Sequence, residues 1–327
     1  MKVHVGLTYD LRSHYLAQGF GEEETAEFDR VETIEAIERA LQALGYETER
    51  IGNIKDLVGR LAAGKTWDLV FNICEGMYGV GREAQVPALL DAYGIAYTFS
   101  DPLVSSLTLH KGMTKSVLKA SGIRTPDFVV VEDETDIDSM ILPFPLFAKP
   151  VAEGTGKGIG PSSRMTSRAD LREVCKDLLD RYRQPVLVET FLPGREFTVG
   201  IVGTGKESVA LGVVEIVLKE KAESDAYSFV NKENCEELVL YLLADGEIPD
   251  QCKDLSLQAW RLLGCRDAGR VDLRLDADGV PHLLEINPLA GLNPEHSDLP
   301  IICSRLNLPY VELIRMIMDS ALKRVRP

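Results

Sequence analysis

The chain has 327 residues, of which 45% are hydrophobic and 27% charged, with a net charge of −15. That length suits two or three domains, and the composition is that of a soluble globular protein. The acidic balance argues against nucleic acid or an anionic membrane as main partner, yet leaves room for a locally basic nucleotide pocket.

Six scattered cysteines without a C-x-x-C spacing fit reduced thiols in the cytoplasm better than disulfides or zinc ligands. The first residues hold no signal-peptide core, and no apolar run nears the roughly 20 residues that span a bilayer.

Residues 2–8 read as a first parallel strand. The polar stretch 10–27, with Glu22-Glu23-Glu24, reads as a solvated loop where an α/β domain binds ligands. Apolar spacing predicts a helix over 29–44, closed by Gly45. A strand over 46–51, a helix over 54–63 and a strand over 68–73 follow. The glycine-rich loop 74–81 leads to a helix over 83–92 and a short strand over 96–98. This alternating order predicts a parallel sheet with right-handed crossovers, ending near residue 105.

A helix over 105–120 carries Lys111 and Lys115. Strands over 128–131, 145–150 and 186–189 enclose an acidic turn at 132–139 and a helix over 169–181. Lys149 stands before the loop Glu153-Gly154-Thr155-Gly156-Lys157-Gly158-Ile159-Gly160. Consecutive N–H groups in such a loop form an anion-binding nest, and the lysine adds a point charge for phosphate. It is neither a Walker A motif nor a Rossmann fingerprint, so these residues alone fit a phosphate loop and an ordinary loop equally. Glu189 and Glu196 flank a Pro-Gly linker; they read as nucleotide contacts or as surface glutamates.

A hairpin spans 196–203 and 208–218. Residues 219–237 are polar and aperiodic, the pattern of a mobile loop. Helices over 254–263 and 310–324 bracket the last hairpin and a loop over 287–300.

The stretch Gly269 to Asn287 carries the sharpest signal: two alternating runs around Asp278-Gly279. A two-residue loop there sets Asp272 opposite Glu285 and Arg270 opposite Asn287, all on one face; a four-residue loop keeps those faces, whereas a three-residue loop or a bulge would break the argument. Facing carboxylates destabilise a sheet unless neutralised. A hard cation, Mg²⁺ or Mn²⁺, would do so and keep positions for phosphate; a solvated face with an ion pair is the other reading. The histidines show no metal spacing.

Together and in this order, the lysine helix, the Lys-Pro and glycine-rich loop, Val-Glu-x-Phe-Leu-Pro-Gly-Arg-Glu-Phe-Thr-Val, Arg-Val-Asp and Leu-Leu-Glu-Ile-Asn-Pro resemble the ATP-grasp ligases. Among these the chain is most similar to the D-alanine–D-alanine ligases and their paralogues, over roughly residues 85–320. The resemblance implies an α/β, three-domain ATP-grasp architecture. Its N-terminal parallel-sheet (pre-ATP-grasp) domain would be 1–105, the central subdomain 106–193 and the C-terminal subdomain with the metal site 194–327.

It also implies roles. Asp272, Glu285 and Asn287 match Mg²⁺ ligands, and Arg270 the arginine on the transferred phosphate. Lys111 and Lys149 match nucleotide-phosphate lysines, and Lys232 the mobile-loop lysine near the γ-phosphate. Glu189 and Leu192 match the adenine hinge, Glu196 the ribose contact, and Thr155 a serine of the glycine-rich loop. The implied substrates are a small-molecule carboxylate and an amine, joined through an acyl phosphate. A homodimer through the N-terminal domain is expected, with no nucleic-acid or membrane partner.

The departures from the family pattern cluster at the amino-acid pocket. The first strand runs into Gly6-Leu7-Thr8-Tyr9-Asp10 rather than a Gly-Gly-x-Ser-x-Glu loop. Glu75 replaces a histidine, Gly156 a serine, and Glu233 an aromatic residue. Ser297 and Asp298 lie in a loop that is acidic where the family cradles a carboxylate. The resulting expectation is an ATP-dependent carboxylate–amine ligase with an altered amino-acid pocket. The alternatives are a D-alanine–D-alanine ligase of peptidoglycan synthesis and a non-catalytic ATP-binding protein.

Overall fold

The computed structural model describes residues 2–223 and 226–325. Strands β1 (His4–Tyr9), β2 (Glu47–Gly52), β3 (Leu69–Ile73) and β4 (Ala96–Tyr97) form a parallel sheet ordered β2-β1-β3-β4. Parallel sheets need cover on both faces. Leu69 and Phe71 pack with Ile37 and Leu41 of the Val31–Ala43 helix. Val70 packs the other way, on Leu57, Leu61 and Leu90. Leu313, Ile314 and Ile317 of the final helix, Tyr310–Leu322, join the first of these clusters. The end of the chain therefore packs against its first sheet.

A second sheet, antiparallel, contains β5 (Phe128–Val131), β6 (Leu146–Pro150), β7 (Arg164–Met165) and β8 (Val186–Thr190), ordered β5-β8-β6-β7. The third contains β9 (Glu196–Val202), β10 (Val209–Leu218), β11 (Val239–Leu243), β12 (Ala268–Leu275) and β13 (Pro281–Asn287), ordered β11-β10-β9-β12-β13. Trp260, fully buried on the Glu247–Leu263 helix, packs beneath β12. A Cβ at Gly269 would come within 2.4 Å of the Asn287 carbonyl oxygen and 2.6 Å of the Trp260 ring. Only glycine lets the hairpin close over that indole.

The hairpin pairs Arg270 with Asn287 and Asp272 with Glu285, as alternation predicts, but by a different route. Leu275 pairs with Pro281, so the turn holds five residues rather than two. A bulge between Asp272 and Leu273 shifts the register by one. The longer turn and the bulge cancel, and the four polar residues meet as the short loop would have placed them.

Other expectations change as well. The stretch 10–27 contains a helix, Arg12–Ala17, and the acidic 132–139 contains Glu134–Ser139, started by a reciprocal Asp133–Asp136 cap. The helix over 105–120 is two, Pro102–Leu109 and Lys111–Ala120, parted at His110, whose ring accepts the Met113 N–H. The region 219–237 holds two short helices, Phe229–Glu233 and Cys235–Leu238, before the edge strand β11. Among the described residues, no helix is long and apolar enough to cross a membrane, and all six cysteines are buried and free.

Candidate active site

β12 and β13 put Arg270, Asp272, Glu285 and Asn287 side by side on one sheet face. Arg270 Nη1 contacts Asp272 Oδ2 and lies 3.9 Å from Glu285 Oε1; its Nε lies 3.3 Å from Asp298 Oδ2. Thr198, on the neighbouring β9, donates its hydroxyl to Asp272 Oδ1 at 2.9 Å. Asn287 Nδ2 donates to Glu285 Oε1 at 3.3 Å. Burial pushes the Asp272 carboxyl up to about 6, against the pull of Arg270. Burial acts on Glu285 too, but Lys111, Lys232, Arg270 and Lys149 together hold it well below the usual range.

Lys111 begins its helix with its N–H on the Val151 carbonyl. Its Nζ reaches Glu285 Oε2 at 3.5 Å and the Glu153 carbonyl at 2.5 Å. Burial lowers its pKa, since one close carboxylate does not offset full desolvation. Lys149 ends β6 and pairs with Glu189 Oε1 at 3.0 Å; Lys115 pairs with the other oxygen at 2.9 Å. Burial would raise the Glu189 carboxyl, yet the two lysines hold it below its ordinary value. Glu189, expected at an adenine hinge, thus turns its side chain to the lysines.

Two adjoining cavities share Lys111, Glu153, Gly154, Tyr227, Lys232 and Glu285. The smaller, about 70 Å³, is lined by Phe147, Lys149, Glu189, Phe191, Leu192 and Glu196. Its apolar wall and edge carboxylates suit a base and a ribose. The larger, about 240 Å³, is lined by Thr155, Arg270, Asn287, Ser297, Asp298 and Glu75. All the residues given a binding or catalytic role from sequence therefore line one cavity or the other.

Several lining residues escaped the sequence reading. Glu27 reaches from the 10–27 stretch to the glycine-rich loop, accepting the Gly154 N–H at 2.5 Å. It also pairs with Lys157 and Arg82, each at 2.9 Å. Burial opposes its charge, but Arg82 and Lys157 hold its carboxyl down to about 2. Asp29 is pushed up to about 7 by burial and Asp10. Glu83 is pushed up to about 7 as well, by burial and Glu27 against Arg82. Glu75 is raised by burial and then by Glu83. No periodicity marks these residues; the only sequence signal is acidic side chains in loops at the ends of parallel strands.

The Phe229–Glu233 helix covers the junction of the cavities. Lys232 Nζ sits 4.7 Å from the Tyr227 ring centroid. Glu233 Oε2 lies 3.6 Å from Arg12 Nη1 and 3.8 Å from Arg30 Nη2. The cover is thus held to the N-terminal part of the chain by charge.

Among the described residues, no group of three or more His, Cys, Asp or Glu side chains forms a ready metal cage. Asp272, Glu285 and Asn287 instead offer two carboxylates and an amide on one face. That donor set fits Mg²⁺, which keeps several positions for water and phosphate oxygens.

A family model described as "D-ala D-ala ligase C-terminus" matches residues 117–319. A D-alanine–D-alanine ligase of Bordetella petrii is 33% identical, covering 88% of this chain and 86% of its own. That of Aquifex aeolicus is 32% identical, covering 88% and 94%. An uncharacterized Sinorhizobium fredii protein, y4sG, is 32% identical, covering 89% and 87%. The crystal structure of D-alanine–D-alanine ligase from Bacillus anthracis complexed with ATP has the same overall fold. Its TM-score is 0.74 at 20% identity, over 98% of each chain.

Proposed function

The chain belongs to the D-alanine–D-alanine ligase family, and from that premise we propose an ATP-dependent carboxylate–amine ligase with an amino-acid pocket altered from the D-alanine type. The observation that carries the ligase reading is the meeting of Arg270, Asp272 and Glu285 where the two cavities join. ATP binding alone needs no buried arginine beside carboxylates at that junction, which disfavours a non-catalytic protein. The replacements at Glu75, Glu233 and Asp298 all border the larger cavity and support the altered pocket.

In this reading ATP lies in the smaller cavity, with Leu192 against the base and Glu196 on the ribose. Lys111 and Lys149 hold phosphate charge, and Lys232 closes on the γ-phosphate end. Asp272, Glu285 and Asn287 would hold Mg²⁺, which supplies charge neutralisation and phosphate orientation. A donor carboxylate oxygen attacks the γ-phosphorus and ADP leaves. An amine nitrogen then attacks the acyl carbon, phosphate departs with the C–O bond electrons, and the nitrogen loses a proton. Arg270 offsets the charge that develops on the oxygens, and Thr155 sits in the loop beside them. The Phe229–Glu233 cover excludes water from the acyl phosphate. We assign three domains, 1–105, 106–193 and 194–327, and a cytoplasmic location suited to six free thiols.

The names of the relatives favour a second reading, a D-alanine–D-alanine ligase of peptidoglycan synthesis. ADP formation with Mg²⁺ and a panel of D- and L-amino acids, with hydroxylamine present to trap acyl phosphates, separates the readings. A hydroxamate of some amino acid supports the ligase. D-alanyl-D-alanine as main product at millimolar D-alanine would remove the altered pocket. Nucleotide binding without any hydroxamate would leave the non-catalytic protein.

A further inference from the structure

Tyr227, at the root of the cover, makes two contacts that bear on the reaction. Its ring lies beneath Lys232, whose Nζ is 4.7 Å from the centroid. Its hydroxyl donates to Asp298 Oδ1 at 3.4 Å and also meets the Tyr241 hydroxyl. With the Tyr227 hydrogen on the carboxylate, Tyr241 is left to donate to Tyr227, and bonds in such a chain polarise one another. The other carboxylate oxygen, Asp298 Oδ2, lies 3.3 Å from Arg270 Nε. A continuous polar chain thus runs from Tyr241 on the edge strand β11 through Tyr227 and Asp298 to Arg270.

The chain is built into the cover as one piece. Asn231, on the same short helix as Lys232, donates its Nδ2 to the Ala226 carbonyl at 2.9 Å, and its N–H goes to the Ser228 hydroxyl at 3.3 Å. Tyr227 lies between those two anchors and moves with Lys232. The cover is seated: a Cβ at Gly156 would come within 2.7 Å of the Phe229 nitrogen, so the cover rests directly on the glycine-rich loop. At the far end, Asp298 stands outside the set Asp272, Glu285 and Asn287 and is buried, so it needs a partner charge and finds it in Arg270. Holding the arginine by Nε fixes the plane of the guanidinium and leaves its Nη end to the reacting groups. Both contacts of Asp298 are longer than a fully formed charge-assisted bond, as positioning contacts are before substrate draws a site together.

We propose that Tyr227 and Asp298 are positioning residues that set Arg270 when the cover is seated. This rests on the ligase reading above. Seating the cover brings Lys232 and the Tyr227 hydroxyl to the site together. The hydroxyl steadies Asp298, and Asp298 steadies Arg270. The transferred phosphate therefore meets a fixed arginine only once the cover has excluded water.

The test uses the full chain with ATP, Mg²⁺ and the donor that hydroxylamine trapping identifies, and reads hydroxamate formation. Asp298→Asn keeps the shape and removes the charge. Tyr227→Phe removes only the hydroxyl and keeps the ring under Lys232; it carries the test by itself if Asp298→Asn does not fold. Asp298→Asn is expected to lower kcat by about 10- to 100-fold, the cost of a misplacement of about 1 Å, with KM for ATP within about twofold. Tyr227→Phe should lower kcat by about threefold or more, again without moving that KM. The double variant should match Asp298→Asn alone, because the hydroxyl acts through the carboxylate. Amide hydrogen exchange in the nucleotide-free chain reads the same link without turnover: both single variants should exchange several-fold faster over 226–233 and at the wild-type rate in β1 and β3. Single-variant factors that multiply in the double variant, a loss carried by KM, or wild-type exchange over 226–233 in both variants overturns the link. Hydroxamate from the wild type and both variants at equal kcat overturns it while leaving the ligase standing. No hydroxamate from the wild type removes both.

Discussion

Lys115 Nζ lies 2.9 Å from Glu189 Oε2, and both side chains are sealed from solvent. No hydrogen bond reaches that oxygen, so the contact is charge on charge. Lys115 is anchored by Thr125 Oγ1 at 2.7 Å and the Leu283 carbonyl at 3.3 Å. It therefore links the Lys111–Ala120 helix, β8 and β13 behind the nucleotide cavity. Lys115→Met would leave Glu189 with one cation and is expected to destabilise the protein by about 3–5 kcal/mol. Adding Glu189→Gln should recover most of that loss. Urea unfolding of the wild type, both single variants and the double variant checks it; a double variant no more stable than Lys115→Met would contradict the charge account.

Glu27 predicts an acid transition. Its carboxyl is held at about 2 in the folded chain against an ordinary 4.5. A depressed carboxyl stabilises the fold above its unfolded value, and that stability drains away as pH falls from about 4.5 toward 2. The shift corresponds to an upper value of about 3 kcal/mol. Glu27→Gln should be less stable at pH 7 and should lose less on acidification. Urea midpoints at pH 7, 4 and 3 compare the slopes; parallel slopes would exclude the Arg82–Lys157 pairing as their cause.

Asp272→Asn removes one carboxylate from the β12–β13 face while keeping the Thr198 contact in reach. Turnover is expected to fall by about 10²–10³-fold, with ATP still bound. The Mg²⁺ dependence of residual ADP formation should move to higher concentration. Calorimetric binding of ATP with and without Mg²⁺ tests this; a variant with unchanged Mg²⁺ dependence would place the ion elsewhere.

Glu233 ties the Phe229–Glu233 cover to Arg12 and Arg30 through contacts of 3.6 and 3.8 Å. Pairs of this kind contribute only about 0.2–1 kcal/mol and weaken with salt. Glu233→Gln should speed proteolytic cleavage within 219–237 several-fold at low salt, with the gap to wild type closing near 0.5 M salt, where screening lengths shrink to about 4 Å. A salt-independent gap would point to packing instead.

The sequence by itself determined the elements whose signals are periodic. The β-α-β order specified the first parallel sheet, and strict alternation specified which residues of β12 and β13 share a face. Alternation survives local irregularity here because the five-residue turn and the bulge offset one another. Tertiary structure decided what has no period. Glu27 and Asp29 come to the cavity from a stretch more than 120 residues before the glycine-rich loop, and Glu83 from a short turn of helix about 70 residues before it, and only chain crossing brings them there. It also decided that Glu189 faces two lysines and that Asp298 occupies Arg270, because a buried charge takes whichever partner the packed neighbours present, and strand periodicity says nothing of neighbours on other sheets.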